Sequence, residues 1–350
     1  MILVCGDVHF CQYSSILRER GIKYSKRLEN ILESINFVER TATEKNVDAI
    51  VYLGDFFDKP NLNDEELTAL KEIKWSDISH YFIVGNHESS VNELLFNSTK
   101  TLEDINRHVI DNFKIMTKAN DSNFDFAFLP YCTEDCRVSI SKLFNNKETN
   151  KRIIFSHNDI KGIQMGPIIS KQGYEIADIE SNCDLFINGH IHNGSEVTKK
   201  IINLGNLTGQ NFGEDAYKYS HNIMLLDEET LKYELIENPY AFNFYKIEIN
   251  NEKDFTKLAT LKSNAVVNIK CEQSLLQDVK KLVNEAKNIV ASRILTYREL
   301  INRDNLENAE ITAELVLNAH DPLERFTEFI KNRLGNDEIV LEELSAIIEG

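Results

Sequence analysis

At 350 residues, 42% of them apolar and 27% charged, the chain is long enough for more than one domain with full cores. No run of about 18 uncharged apolar residues is available to span a bilayer, and the start "MILVCGDVHF" lacks a basic region followed by a small-residue cleavage site, so a cytoplasmic location is expected. The net charge of −17 works against simple attraction to a polyanion, so a phosphate-bearing substrate needs local cations.

"ILVCGD" opens the chain as an apolar burst of strand length that ends in glycine and a carboxylate. Leu28, Ile31, Leu32, Ile35 and Val38 then recur at helical spacing, which predicts a helix crossing to a second burst, "AIVYLGD". "YFIVGN", "RIIFSH" and "DLFINGH" repeat the form, each ending in glycine or a polar ligand type. Strands alternating with helices imply an α/β fold with a largely parallel sheet flanked by helices. Ligands of such sheets gather at the carboxyl ends of strands, where these polar residues fall. The cysteine pair in "YCTEDC" has no second pair to complete a four-cysteine zinc site, and all six cysteines read as free thiols.

After "IENPYAF" the pattern changes. "FNFYKIEI" reads as a strand, "EKDFTKLATL" as a helix, "AVVNIKC" as a strand and "SLLQDVKKLVNEAKN" as a longer helix. Residues 241–300 therefore form a small second α/β domain behind a first domain over 1–240. Residues 301–320 are polar and acidic, as in a linker. Residues 321–350 carry two short amphipathic helices, the first with Asp321 as N-cap and Pro322 at the first helical position. An amphipathic helix must bury its stripe, and a groove on a partner is one recurring solution.

The polar residues at the five strand ends are Asp7 and His9, then Asp55, then Asn86 with His87, then His157, then His190 and His192. A lone histidine on a strand is more often a satisfied core or surface residue than a ligand. Eight nitrogen and oxygen donors at successive strand ends are not a packing pattern. Carboxylate, imidazole and one amide oxygen, with no thiolate, favour divalent Mn, Fe, Zn or Mg. Seven of the donors give each of two ions four ligands only if one is shared, and the carboxylate of Asp55 suits that bridge. Gly54, Gly85 and Gly189 directly precede donors and allow sharp turns at the rim.

In order, "GDVH", "GDFFD", "GNHE", "SH" and "GHIH" resemble the motifs of the calcineurin-like metallophosphoesterases, over about residues 1–240. The resemblance implies a metallophosphoesterase sandwich with flanking helices and two divalent ions. Asp7, His9, Asp55 and His192 would hold one ion, and Asp55, Asn86, His157 and His190 the other. His87 would face the substrate, stabilising the phosphorus centre or protonating the leaving oxygen. Where the family pattern continues with Asp, this chain has Glu88.

Within that superfamily the layout resembles the SbcD-type nuclease subunit of the double-strand-break repair complex, particularly the recombination endonuclease subunit of large tailed phages. "GDFFDKP", "HNDIKGIQMG" and "NLGNLTGQNFGED" carry this likeness, with Asn206 or Thr208 standing in for the family's proline in the last. It implies a Mn2+-dependent exonuclease or endonuclease, with Mg2+ as the alternative ion, acting on duplex ends, hairpins and single strands. It also implies a DNA-binding cap at 241–300 and a tail at 321–350 that grips an SMC-like ATPase, in a heterotetramer containing a homodimer of this chain. Arg18, Arg20, Lys23, Lys26 and Arg27, against Glu19, form a local basic patch after the first motif and are candidate DNA contacts; a charge run is otherwise a solvated helix start. The alternatives are a small-molecule or cyclic-nucleotide phosphodiesterase and an inactive scaffold, which should lack ligands that this chain retains.

Overall fold

A computed structural model describes residues 1–89, 94, 96–117, 124–144, 151–165 and 168–297; the linker and tail helices expected at 301–350 lie outside the described residues. The chain begins β1 (Ile2–Cys5), α1 (Lys26–Lys45), β2 (Ala49–Tyr52), α2 (Asp64–Leu70), β3 (Ser79–Ile83) and β4 (Arg107–Ile110). It continues β5 (Lys114–Thr117), β6 (Phe124–Leu129), α3 (Ile140–Leu143), β7 (Lys151–Ser156), β8 (Gln164–Met165), β9 (Ile168–Ile169), α4 (Ile176–Asn182) and β10 (Leu185–Asn188). β11 (Ser195–Glu196), β12 (Ile201–Asn203), β13 (Asn222–Asp227) and β14 (Lys232–Glu237) complete this part.

The helix α1 forms where the apolar spacing predicts it. Ser25 caps it by accepting from the Leu28 amide at 3.2 Å, Glu29 lies in its first turn, and Asn46 closes it in the left-handed conformation. Its stripe of Leu28, Ile31, Ile35 and Val38 is fully buried in one cluster with Ile50, Tyr52 and Phe82 from β2 and β3.

The parallel grammar is divided between two sheets. One has the order β14-β13-β1-β2-β3-β4, with β1 to β4 parallel and β13 antiparallel to β1. The other has the order β11-β12-β10-β7-β6-β5, with β12, β10, β7 and β6 parallel. Short strands that are apolar on both faces need two covers. α1 covers one face of the first sheet, and Val4, Val51 and Ile83 on the other share a core with Phe128, Phe155 and Ile187 of the second. The result is an α/β sandwich.

A third sheet is formed by the parallel strands β15 (Asn243–Ile249), β16 (Ala265–Cys271) and β17 (Ile289–Thr296). One face packs Ile247, Ile269 and Ile294 with Val279 and Val283 of α6 (Leu276–Glu285). The helix expected over "EKDFTKLATL" is shorter than its pattern: a 3-10 turn at Glu252–Phe255 runs into α5 (Thr256–Ala259). Phe244 and Val266 on the other face meet Leu17, with Ile16 and Phe212 alongside, so this sheet leans on the loop that follows β1. No helix among the described residues is long and apolar enough to cross a membrane.

Candidate metal centre

The strand ends of β1, β2, β3, β7 and β10 turn abruptly. His9 (φ 49°), Asp55 (φ 47°) and His190 (φ 69°) adopt the left-handed region, where a non-glycine residue costs about 1–3 kcal/mol. Tertiary hydrogen bonds hold these turns: the His9 amide donates to Asp55 O at 2.8 Å, and the His190 amide to Asp7 Oδ1 at 3.0 Å. Gly54 takes φ 104°, and a Cβ on Gly85 would lie 2.1 Å from Asp55 Oδ1, so both positions need glycine.

These turns bring all seven proposed ligands together. His9 Nε2 faces His192 Nε2 at 3.1 Å, each 4.0 Å from Asp7 Oδ2. His157 Nε2 lies 3.1 Å from Asp55 Oδ2 and 3.2 Å from Asn86 Oδ1, which His190 Nδ1 approaches at 3.0 Å. Asp55 Oδ2 is also 4.0 Å from His9 Nε2, so it lies between the two clusters. Asp7 with His9 and His192 is one group of donors able to surround an ion, Asp55 with His157 and His190 is another, and His9 and Asp55 also group with His87.

The outer hydrogen bonds decide which nitrogen each ring presents. His9 Nδ1 donates to Asp58 Oδ1 at 2.9 Å, His192 Nδ1 to Glu214 Oε1 at 3.0 Å, His157 Nδ1 to Leu53 O at 2.8 Å, and His190 Nε2 to Asp159 Oδ1 at 3.2 Å. Carboxylate and carbonyl oxygens only accept, so a neutral ring that donates to these outer partners keeps its opposite, inward nitrogen available to a cation. The four inward nitrogens face one another and the oxygens of Asp7, Asp55 and Asn86. Asp7 Oδ2 is buried with no hydrogen-bond partner. Imidazole nitrogens, two carboxylates and an amide oxygen gathered this closely, with one buried carboxylate oxygen left over, are a donor set that fits divalent metal.

Protons feel the same field. Burial disfavours a charged His157, yet the carboxylates of Asp55 and Asp7 push it up to about 9. Burial likewise opposes ionisation of Asp55, but His157 holds it well below the usual carboxylate range. Burial lowers His9 despite Asp58, whereas Glu214 and Asp7 raise His192 against its burial.

His87 lies at the rim with its side chain 42% exposed. Its amide donates to Asp55 Oδ1 at 2.9 Å and its Nδ1 to Asp58 O at 3.1 Å. Glu88 turns away from it, accepting from the Phe57 and Gly85 amides at 3.1 and 2.6 Å, and so ties together the loops after β2 and β3. Burial and the charge of Asp55 raise Glu88 to about 7.

The basic patch is less free than its sequence. Arg20 pairs with Glu65 at 2.7 Å, Lys23 with Glu72 and Lys26 with Glu19, while Arg18 donates through Nε to Ser15 O. Arg27 is buried, and its guanidinium donates to Gly209 O at 2.6 Å; it is an internal strut rather than a surface cation. Thr208 bonds Asn30 at 2.7 Å and the Phe242 amide at 2.9 Å, and the Asn206 side chain is buried with both amide atoms unpartnered.

Asp58, Asp159 and Glu214 escape a reading based on strand ends. Asp58 and Asp159 lie three and two residues beyond Asp55 and His157, so adjacency offered a signal; Glu214 follows His192 by 22 residues in a loop and offered none.

A model of the calcineurin-like phosphoesterases matches residues 1–194, more than half of the chain. Fold and site thus define a metal-dependent hydrolase of the metallophosphoesterase class. The chain belongs to the calcineurin-like phosphoesterase family. Over 97 residues it is 36% identical to the DNA double-strand break repair protein Mre11 of Methanosarcina acetivorans, and over 94 residues 35% identical to that of Methanosarcina mazei. These segments are 26% and 25% of this chain, and the chain covers 14% of the length of either relative. Among solved structures, a dimetal phosphatase from Danio rerio is similar at a TM-score of 0.39 and 15% identity, over 68% of this chain and 98% of that one. The protein TT1561 of Thermus thermophilus is similar at a TM-score of 0.36 and 12% identity, over 67% of this chain and 97% of that one.

Proposed function

We propose that the chain is a two-metal nuclease that hydrolyses DNA phosphodiester bonds in recombination and double-strand-break repair. The observation that carries this reading is the convergence of four imidazole rings on Asp7, Asn86 and Asp55, with Asp55 Oδ2 between both groups. Asp7, His9, Asp55 and His192 would hold one ion, and Asp55, Asn86, His157 and His190 the other. Mn2+ suits this mixed imidazole, carboxylate and amide set. Divalent cations held by these residues would supply an acidified water and neutralise charge that builds on phosphoryl oxygens. With Nδ1 held by Asp58, His87 directs Nε2 to the substrate, where its imidazolium form donates a proton to the leaving oxygen.

DNA as substrate is supported by the partial likeness to the Mre11 proteins and by cations on the third sheet. Lys246, Asn268 and Arg293 lie in register across β15, β16 and β17, with Lys270 one row on; none of these cations makes an ion pair among the described residues. A cleft of about 330 Å³ runs beside this sheet, lined by Arg18, Ala291 and the ion-paired Lys26 and Glu19. Residues 241–300 are thus read as a cap that holds the phosphate backbone, which offsets the −17 charge of the chain. The tail at 321–350 is assigned to an SMC-like ATPase, with two copies of each subunit.

Linear duplex and hairpin DNA incubated with the protein and Mn2+, Mg2+, Zn2+ or chelator provides the test. Cleavage with Mn2+ that chelator abolishes is expected. No cleavage with any ion, beside turnover of cyclic nucleotides, would assign the site to a small-molecule phosphodiesterase instead.

A further inference from the structure

We infer that Glu214 is a positioning residue that presents His192 to its metal ion, from a loop clamped to the third sheet. The inference rests on His192 being a ligand. Of the four ligand histidines it is the most exposed, at 29%, against 14% for His190 and 1% or less for the others. A ring that packing leaves part-exposed gains from a partner that fixes its rotamer and tautomer. Glu214 supplies one: Oε1 accepts a hydrogen bond from Nδ1 at 3.0 Å, and Nε2 is left facing His9 and Asp7.

Glu214 belongs to none of the strand-end motifs. It is 4% exposed, and its Oε2 accepts from the Gln210 amide at 2.8 Å, so the carboxylate spans its own loop and the ligand. The loop is clamped at both ends to the strand that opens the third sheet. The Gly209 amide donates to Phe242 O at 3.1 Å and the Ala216 amide to Phe244 O at 3.0 Å. Phe212 packs edge-on against Phe244, with ring centroids 5.1 Å apart. A Cβ on Gly209 would lie 2.4 Å from Phe242 O, so the loop has no slack there, and buried Arg27 holds the Gly209 carbonyl from the other side. The seating of the third sheet is therefore transmitted through Glu214 to one metal ligand.

The test is Mn2+ titration of the full chain, read by the electron paramagnetic resonance of free Mn2+, for the parent, Glu214→Ala, Glu214→Gln, His192→Ala and the Glu214→Ala/His192→Ala double variant. Glu214→Ala should weaken one of two classes of ion about 10–100-fold and leave the other unchanged. Glu214→Gln, which keeps an acceptor for the imidazole, should recover part of the loss. The double variant should bind no more weakly than His192→Ala, because the two residues act as one unit. Melting curves identify variants that bind poorly through misfolding, and Glu214→Gln keeps the test informative if Glu214→Ala does not fold. Unchanged affinity in Glu214→Ala, or additive losses in the double variant, would overturn the positioning role while leaving the metal site standing. A parent unresponsive to His192→Ala would overturn the ligand assignment and the inference together.

Discussion

Asp55 and His87 are one hydrogen bond apart, through the His87 amide and Asp55 Oδ1, yet their side chains face different tasks. Asp55 Oδ2 lies within the donor cluster, whereas the His87 ring is at the open rim. His87→Ser should therefore retain two ions per chain by elemental analysis and lose most turnover, about 10²–10⁴-fold if it is the general acid. Asp55→Asn should lose the ions themselves. Equal metal loss in both would contradict this division. Gly85 bears on the same contact: the Cβ of Gly85→Ala would lie 2.1 Å from Asp55 Oδ1 and 2.5 Å from Asp55 N. The backbone must give way, so the variant should be less stable by about 1–3 kcal/mol and bind Mn2+ poorly; native melting with native metal content would show that the loop has slack.

The elements that set the rim were legible wherever periodicity spoke for a whole segment. Ile35 of α1 is fully buried against the first sheet, and Ile35→Ala should cost about 2–5 kcal/mol in denaturant unfolding. On the same helix Glu39 is buried and accepts from His80 of β3 at 3.0 Å and from the Ser76 hydroxyl at 2.7 Å. Burial alone would raise its pKa, but His80 and Ser76 hold it below the ordinary value. A carboxyl depressed in the folded state stabilises the fold above its unfolded pKa of about 4.3, and that contribution is lost as pH falls through the folded value. Melting temperature should therefore fall more steeply below about pH 4.3 in the parent than in Glu39→Gln; parallel curves would refute the linkage. Leu28 to Val38 announced α1, and five apolar bursts ending in glycine or a ligand announced the strands that bear the site. β17 was not anticipated, because Ser292 and Arg293 break the apolar run of "IVASRILT". The charge run does not reveal that Arg27, alone of its members, reaches inward to Gly209 O. Asp58, Asp159 and Glu214 act through tertiary contacts that no local period encodes.

At the scale of the molecule, a phosphoesterase sandwich carries its donors on one rim and leans a small parallel sheet against the loop beside it. Deleting residues 321–350 should leave a folded, metal-binding protein that no longer co-purifies with an SMC-like ATPase; co-purification at full yield would contradict the role given to the tail. The rim is expected to hold two divalent ions with Asp55 between them. Anomalous diffraction at the manganese edge from crystals grown with Mn2+ tests it most directly. Two peaks are expected, one against Asp7, His9 and His192 and one against Asn86, His157 and His190, both contacting Asp55. A single peak, or peaks that leave Asp55 or either histidine group without an ion, would contradict it.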